Sequence, residues 1–170
     1  LINFMEGIED IPKEVIETGL AWNWESFSEY LDAVGSRHLD MDVAAQIGHV
    51  PLRAFVMGQR GLDREPATAG EIAEMGRIVE EAVRAGAMGF STARMPHQQS
   101  RDGKPTAGLT ATQDELVGIA RGVRRGGGGA IQLITDFHDH EGEFGLIEAM
   151  ARESGGQVSF TLTQKEDSLQ

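Results

Sequence analysis

In the middle of the chain the apolar positions recur at helical spacing. Ile72, Met75, Val79, Ala82 and Val83 form one stripe, and Thr68-x-x-Glu71 ahead of them has the spacing of a capping box. The pattern predicts a helix over Glu71 to Gly86, followed by a short apolar strand, Ala87 to Phe90. That strand delivers Ser91, Thr92 and Arg94 to a loop at its carboxyl end, where parallel α/β folds place their chemistry.

The same pattern repeats on both sides. Upstream, Trp24, Phe27, Tyr30, Leu31 and Val34 share a helical face, Ser26 and Glu29 supply a capping box, and Gly35 supplies the stop. Trp22 and Trp24 read first as anchors of that helix. Residues 1–20 hold a polar turn and one short helical turn at best. Asp42 to Val50 is short and apolar and reads as a buried strand ending at Gly48 and His49. Leu52 to Met57, with Arg53 near its start, is a further apolar segment, and Gly58 to Pro66 is a charged connection.

Downstream, the stretch from Met95 to Ala111 has no period, and a loop of that length is either a binding loop or a solvated excursion. Its chemical content is His97, Arg101, Asp102 and Lys104. Thr112 and Glu115 repeat the capping-box spacing before a helix to Gly126. The glycines Gly126 to Gly129 close a helix and enter a strand, the reverse of a phosphate loop's order. Ala130 to Thr135 is that strand, with Asp136 at its carboxyl end. A last helix, Phe144 to Glu153, leads to a strand over Gln157 to Leu162, and the tail KEDSLQ is polar. Strand and helix therefore alternate serially, as in a partial TIM-like (β/α) barrel with parallel strands, an α/β class.

Composition narrows the partners. The 170 residues are 40% hydrophobic and 25% charged, with a formal net charge of -12, which disfavours a nucleic-acid partner. There is no cysteine, hence neither disulfide nor thiolate ligand, which fits the cytoplasm. No apolar run reaches the roughly 20 residues that cross a bilayer, so no membrane partner is expected.

Six residues are candidates to contact a small substrate: His49, Arg53, Ser91, Thr92, Arg94 and Asp136. Arg53 and Arg94 offer guanidinium forks for a carboxylate, or pair with the chain's own acids. Ser91 lies in GFSTA, not in a Gly-x-Ser-x-Gly elbow, so substrate contact or backbone bonding suits it better than nucleophilic attack. His138-x-His140, with Asp136 and Glu141 nearby, has the donor types of a catalytic zinc site, or is a solvated turn.

The runs EGIEDIP, GLAWNWESFSEYLDAV, DVAAQIGH, LRAFVMGQRG, EAVRAGAMGFSTAR and SRDGKP resemble the middle of the D-aminoacylase branch of the amidohydrolase superfamily. They cover nearly the whole chain in order. The resemblance implies that residues 1–170 are the central part of a larger barrel whose remaining parts are its natural partners. It also implies a metal-dependent hydrolase that cleaves the amide of N-acyl-D-amino acids through a metal-activated hydroxide, with zinc or another divalent metal in the full-length parent. The family's first His-x-His pair, cysteine ligand and late aspartate fall outside this chain. Its two mid-barrel histidines would stand near Ile134 and Thr161, in strands that here contain no histidine. A metal-free homologue serving as a binding or interaction protein is the alternative.

Overall fold

The computed structural model describes residues 2, 5, 6, 11–100, 103–137 and 139–162. The turn at residues 7–10, Arg101, Asp102, His138 and the KEDSLQ tail lie outside the described residues. The amino-terminal segment forms more than a turn, because α1, Lys13–Gly19, is a helix that buries Ile16. Helix α2, Phe27–Gly35, starts later than the aromatic pattern suggests, since the Ser26–Glu29 capping box is reciprocal and fixes the first helical residue behind it. Trp22 and Trp24 precede that cap and stack on each other at 5.9 Å, with Trp24 edge-on to Tyr30 at 5.6 Å.

The strand expected over Asp42 to Val50 shrinks to β1, Ile47–Gly48. Helix α3, His49–Met57, begins directly behind it, and Pro51 is accommodated because a first-turn residue needs no amide hydrogen for the helix ladder. A further short helix, α4, Gln59–Leu62, occupies part of the expected connection. Helix α5, Ala69–Arg84, starts at the reciprocal Thr68–Glu71 box and buries Met75, Val79, Ala82 and Val83, the apolar stripe of the sequence. Its exit passes through Gly86 at φ +115°, a conformation that L side chains resist.

Strand β2 is Gly89–Arg94, displaced from the expected Ala87 to Phe90. Ser91, Thr92 and Arg94 therefore lie within the strand instead of a loop beyond it, and their side chains alternate between its faces. The long segment that follows turns back through a bridge between Gln99 and Pro105, and Ser100, Thr106, Ala107 and Ala111 are buried. Helix α6, Gln113–Gly126, ends in the glycine run, which leads into β3, Ala130–Thr135. Helix α7, His140–Ser154, begins earlier than expected because the Asp139 carboxylate caps it, accepting from the Gly142 amide at 3.1 Å. Strand β4 is Val158–Phe160.

The four strands pair in parallel in the order β1-β2-β3-β4. Sequential order with right-handed crossovers puts the connecting helices on one face of the sheet. Burial agrees: Phe90, Ile131 and Leu133 are fully buried with Met75, Val79, Leu116, Ile119, Val123 and Met150 from the helices, whereas Gln132 and Ser159 on the other face are exposed. Among the described residues no helix is long and apolar enough to cross a membrane.

Candidate functional site

The alternation along β2 sorts the candidate residues. Phe90, Thr92 and Arg94 point into the helix layer, while Gly89, Ser91 and Ala93 point to the opposite face. His49 opens α3 immediately after β1, on the strand next to β2, so its ring lies over Phe90 at 5.3 Å and its Nδ1 sits 2.8 Å from Thr92 Oγ1. Arg53 follows one helical turn later on the same face of α3. Glu115, in the first turn of α6, completes the group.

His49 Nε2 lies 2.8 Å from Glu115 Oε1, and Arg53 Nη1 donates to both Glu115 oxygens at 2.6 and 2.5 Å. Arg53 also donates through Nη2 to the Glu65 carbonyl at 2.5 Å and through Nε to the Gly61 carbonyl at 3.3 Å. An ionised carboxylate only accepts, so the His49 hydrogen sits on Nε2, and Thr92 Oγ donates to Nδ1. The cluster is sealed: His49 is 2%, Arg53 1%, Thr92 5% and Glu115 0% exposed. Gly108 closes it from the loop side, since a Cβ there would lie 3.1 Å from both His49 Nδ1 and Thr92 Oγ1 and 2.9 Å from the Ala93 carbonyl oxygen.

Burial pushes the His49 imidazole below its ordinary value and outweighs the opposing pull of Glu115, so the ring is neutral at pH 7. For Glu115 burial acts upward, but the hydrogen bonds from His49 and Arg53 and the charge of Arg53 win and hold its carboxyl below the usual range. Hydroxyl, imidazole and carboxylate stand in the order of an acyl-transfer relay. A substrate has no path to this Thr92 hydroxyl, and half of the carboxylate's capacity is taken by Arg53. As placed, the network ties β2, α3, α6 and the 58–66 connection together.

Arg94, the last residue of β2, is spent in a second pair. It donates from Nε to Glu143 Oε1 and from Nη1 to the Ala111 carbonyl, both at 2.9 Å. Glu143 Oε2 is buried without a hydrogen-bond partner. Asp136 stands one residue beyond β3 and is half-buried. The structure thus joins His49, Arg53 and Thr92, sets Arg94 apart with Glu143, and leaves Ser91 half-buried on the opposite face.

Sequence reasoning missed Glu115 and Glu143. Glu115 carries the Thr-x-x-Glu spacing, and Thr112 Oγ1 does accept from its amide at 3.3 Å, but its carboxylate turns inward to Arg53 instead of back to the cap. Arg53 within the apolar run Leu52 to Met57, where a guanidinium demands a counter-charge, was the available signal. Nothing local marks Glu143.

Among the described residues no three His, Cys, Asp or Glu side chains gather to hold a metal ion. His140 and Glu141 lie exposed in the first turn of α7, and His138 lies outside the described residues. Where the resemblance expects histidines, Ile134 offers no donor atom. Thr161 Oγ1 is already bonded to the Thr135 backbone, accepting from its amide at 3.2 Å and donating to its carbonyl at 3.1 Å. These residues do not fit a zinc centre.

Comparison with known proteins supplies a relationship. The chain is 32% identical over 129 residues to the D-aminoacylase of Alcaligenes xylosoxydans xylosoxydans. This match supports an amidohydrolase-like relationship. It covers 76% of this chain but 24% of D-aminoacylase, so the chain corresponds to about a quarter of that protein's length. Uncharacterized proteins of Mycobacterium bovis and Mycobacterium tuberculosis are 33% identical over 91 residues, covering 49% of this chain and 14% of theirs. No family model matches, and no solved structure matches with significance.

Proposed function

We propose that the full-length gene product containing this chain hydrolyses carbon–nitrogen bonds in small amides, as a D-aminoacylase-like amidohydrolase, and that these residues form part of its barrel. The 129-residue match to D-aminoacylase carries the reading. The sheet supports it, since sequential parallel strands with helices on one face are what a (β/α) barrel looks like over part of its circumference. In this reading the open face lines the barrel and Ser91 meets the substrate. Asp136, just beyond the carboxyl end of β3, stands at the rim. His49, Arg53, Thr92 and Arg94 position β2 from behind. The divalent metal implied by the resemblance finds no fitting donors on β3 and β4, so no catalytic step is routed through it.

The test is turnover of N-acyl-D- and N-acyl-L-amino acids by the full-length gene product, with and without a chelator. Release of free amine from either series supports the reading, and inertness toward linear and cyclic amides alike ends it. Ile134 and Thr161 favour a second reading, a homologue that keeps the fold without the metal and acts by binding. Metal analysis of the purified full-length product separates the two: stoichiometric zinc supports the enzyme, and its absence together with inertness supports the binding protein.

A further inference from the structure

The carboxyl end of β3 is held by a clamp of side chains. The register between β3 and β4 runs to Leu133 and Phe160, and the Thr161 amide adds a bond to the Leu133 carbonyl at 3.2 Å. At Thr135 a hydroxyl takes over from the backbone. Thr161 Oγ1 accepts from the Thr135 amide at 3.2 Å and donates to the Thr135 carbonyl at 3.1 Å. The buried Thr135 hydroxyl in turn accepts from the Phe137 amide at 3.2 Å. Both peptide groups flanking Asp136 are therefore held, one through the Thr135 carbonyl and the other through the Phe137 amide.

Phe137 stands at φ +54°, in the left-handed region that a side chain resists. It is the buried one of the three described non-glycine residues with positive φ. Its ring packs against Phe144 at 5.0 Å and edge-on to Phe160 at 5.7 Å, which keeps it in place. Such strain persists only where the surroundings over-determine it, and it gathers at ligand sites. The residue enclosed between the clamp and this turn is the half-buried Asp136, one position beyond the strand. By alternation it follows Gln132 and Ile134 on the open face, the face that Ser159 and Thr161 share on the neighbouring chain segment.

From this construction we infer that Thr161 is a positioning residue for Asp136, and that Asp136, so fixed, accepts a hydrogen bond from the bound amide substrate. The inference rests on the hydrolase reading above and gives a role to a residue which that reading only places at the rim. A hydroxyl has one hydrogen, and that of Thr161 is committed to the Thr135 carbonyl. Thr161 therefore acts through Asp136 instead of donating to the substrate.

The test is a double-mutant cycle in the full-length gene product on whichever N-acyl-amino acid it turns over best, with rates taken per folded molecule. Asp136→Asn and Thr161→Val should each lower kcat/KM at least five-fold, and Thr161→Ser, which keeps the hydroxyl, should recover turnover to within three-fold. In the Asp136→Asn background Thr161→Val should cost less than a further two-fold. Equal losses in both backgrounds overturn the inference, because Thr161 then acts independently of Asp136. Unchanged turnover in either single variant also overturns it, as does a Thr161→Ser loss as large as that of Thr161→Val; the hydrolase reading survives all three results. Where Asp136→Asn abolishes turnover, the Thr161→Val loss should fall in kcat, and a loss confined to KM overturns the inference. Absence of turnover in the unmodified protein toward every amide tried ends the hydrolase reading, and the inference with it.

Discussion

The two faces of the sheet use polar residues in opposite ways. Toward the helices, Thr92, Arg94, His49 and Arg53 are buried or nearly so, and each is held by a named partner within hydrogen-bonding distance. Toward the open side, Ser91, Gln132 and Ser159 are uncharged and wholly or partly accessible. The residues that look most chemical in the sequence, two arginines and a histidine, are therefore the ones most committed to holding the fold. A charged side chain beside a strand's carboxyl end becomes available to a ligand only when the protein has not already supplied its counter-charge.

Breaking the network on the helix side should have the largest effect. Glu115→Ala leaves Arg53 buried without its counter-ion and should cost about 3–5 kcal/mol in denaturant unfolding. Replacing the exposed Gln132 by Ala should stay within about 0.5 kcal/mol. Similar losses at both positions would erase the contrast between the faces.

Acid should act through the same network. The folded imidazole of His49 binds its proton less readily than the unfolded one, so the unfolded state takes up more protons as pH falls below about 6.5 and stability drops. It levels off once the pH is below the folded value. Glu115 acts in the same direction at lower pH: its folded carboxyl is held below the ordinary 4.5, and its contribution is present above that value and lost as the pH falls through the folded one. Stability measured from pH 8 down to pH 3 should therefore decline in two stages, and His49→Gln should weaken the upper one. A curve flat between pH 7 and pH 5 would mean that His49 is not held neutral.

Gly86→Val tests both faces together. At φ +115° a β-branched side chain should cost about 1–2 kcal/mol, and the strained entry into β2 should displace Ser91 and Thr92 in concert. Stability and turnover should fall in parallel. A loss of stability with turnover per folded molecule intact would show that β2 holds its position despite the strain.

Much of this was legible in the sequence. The Ser26–Glu29 and Thr68–Glu71 boxes announced two helix starts, and the stripe from Met75 to Val83 announced the buried face of α5. Strand limits were less legible, because short apolar runs carry little phase information. Moving β2 from Ala87–Phe90 to Gly89–Arg94 was enough to send Thr92 and Ser91 to opposite faces. The Glu115 partnership was hidden because a Thr-x-x-Glu spacing serves both a cap and an inward-turned carboxylate. Only the three-dimensional approach of α3 to α6 decides between them.

Neighbouring residues on β2 give the most direct test of the division between the faces. Ser91→Ala and Thr92→Val each remove one hydroxyl from adjacent positions, and both variants can be followed by denaturant unfolding and by kcat/KM in the full-length gene product. Thr92→Val leaves the buried His49 Nδ1 without a donor and should cost about 1–3 kcal/mol, with turnover per folded molecule unchanged. Ser91→Ala should alter stability by less than about 0.5 kcal/mol and lower kcat/KM. The reverse result, Ser91→Ala unfolding the protein while Thr92→Val abolishes turnover, would place the site on the helix side and contradict the account.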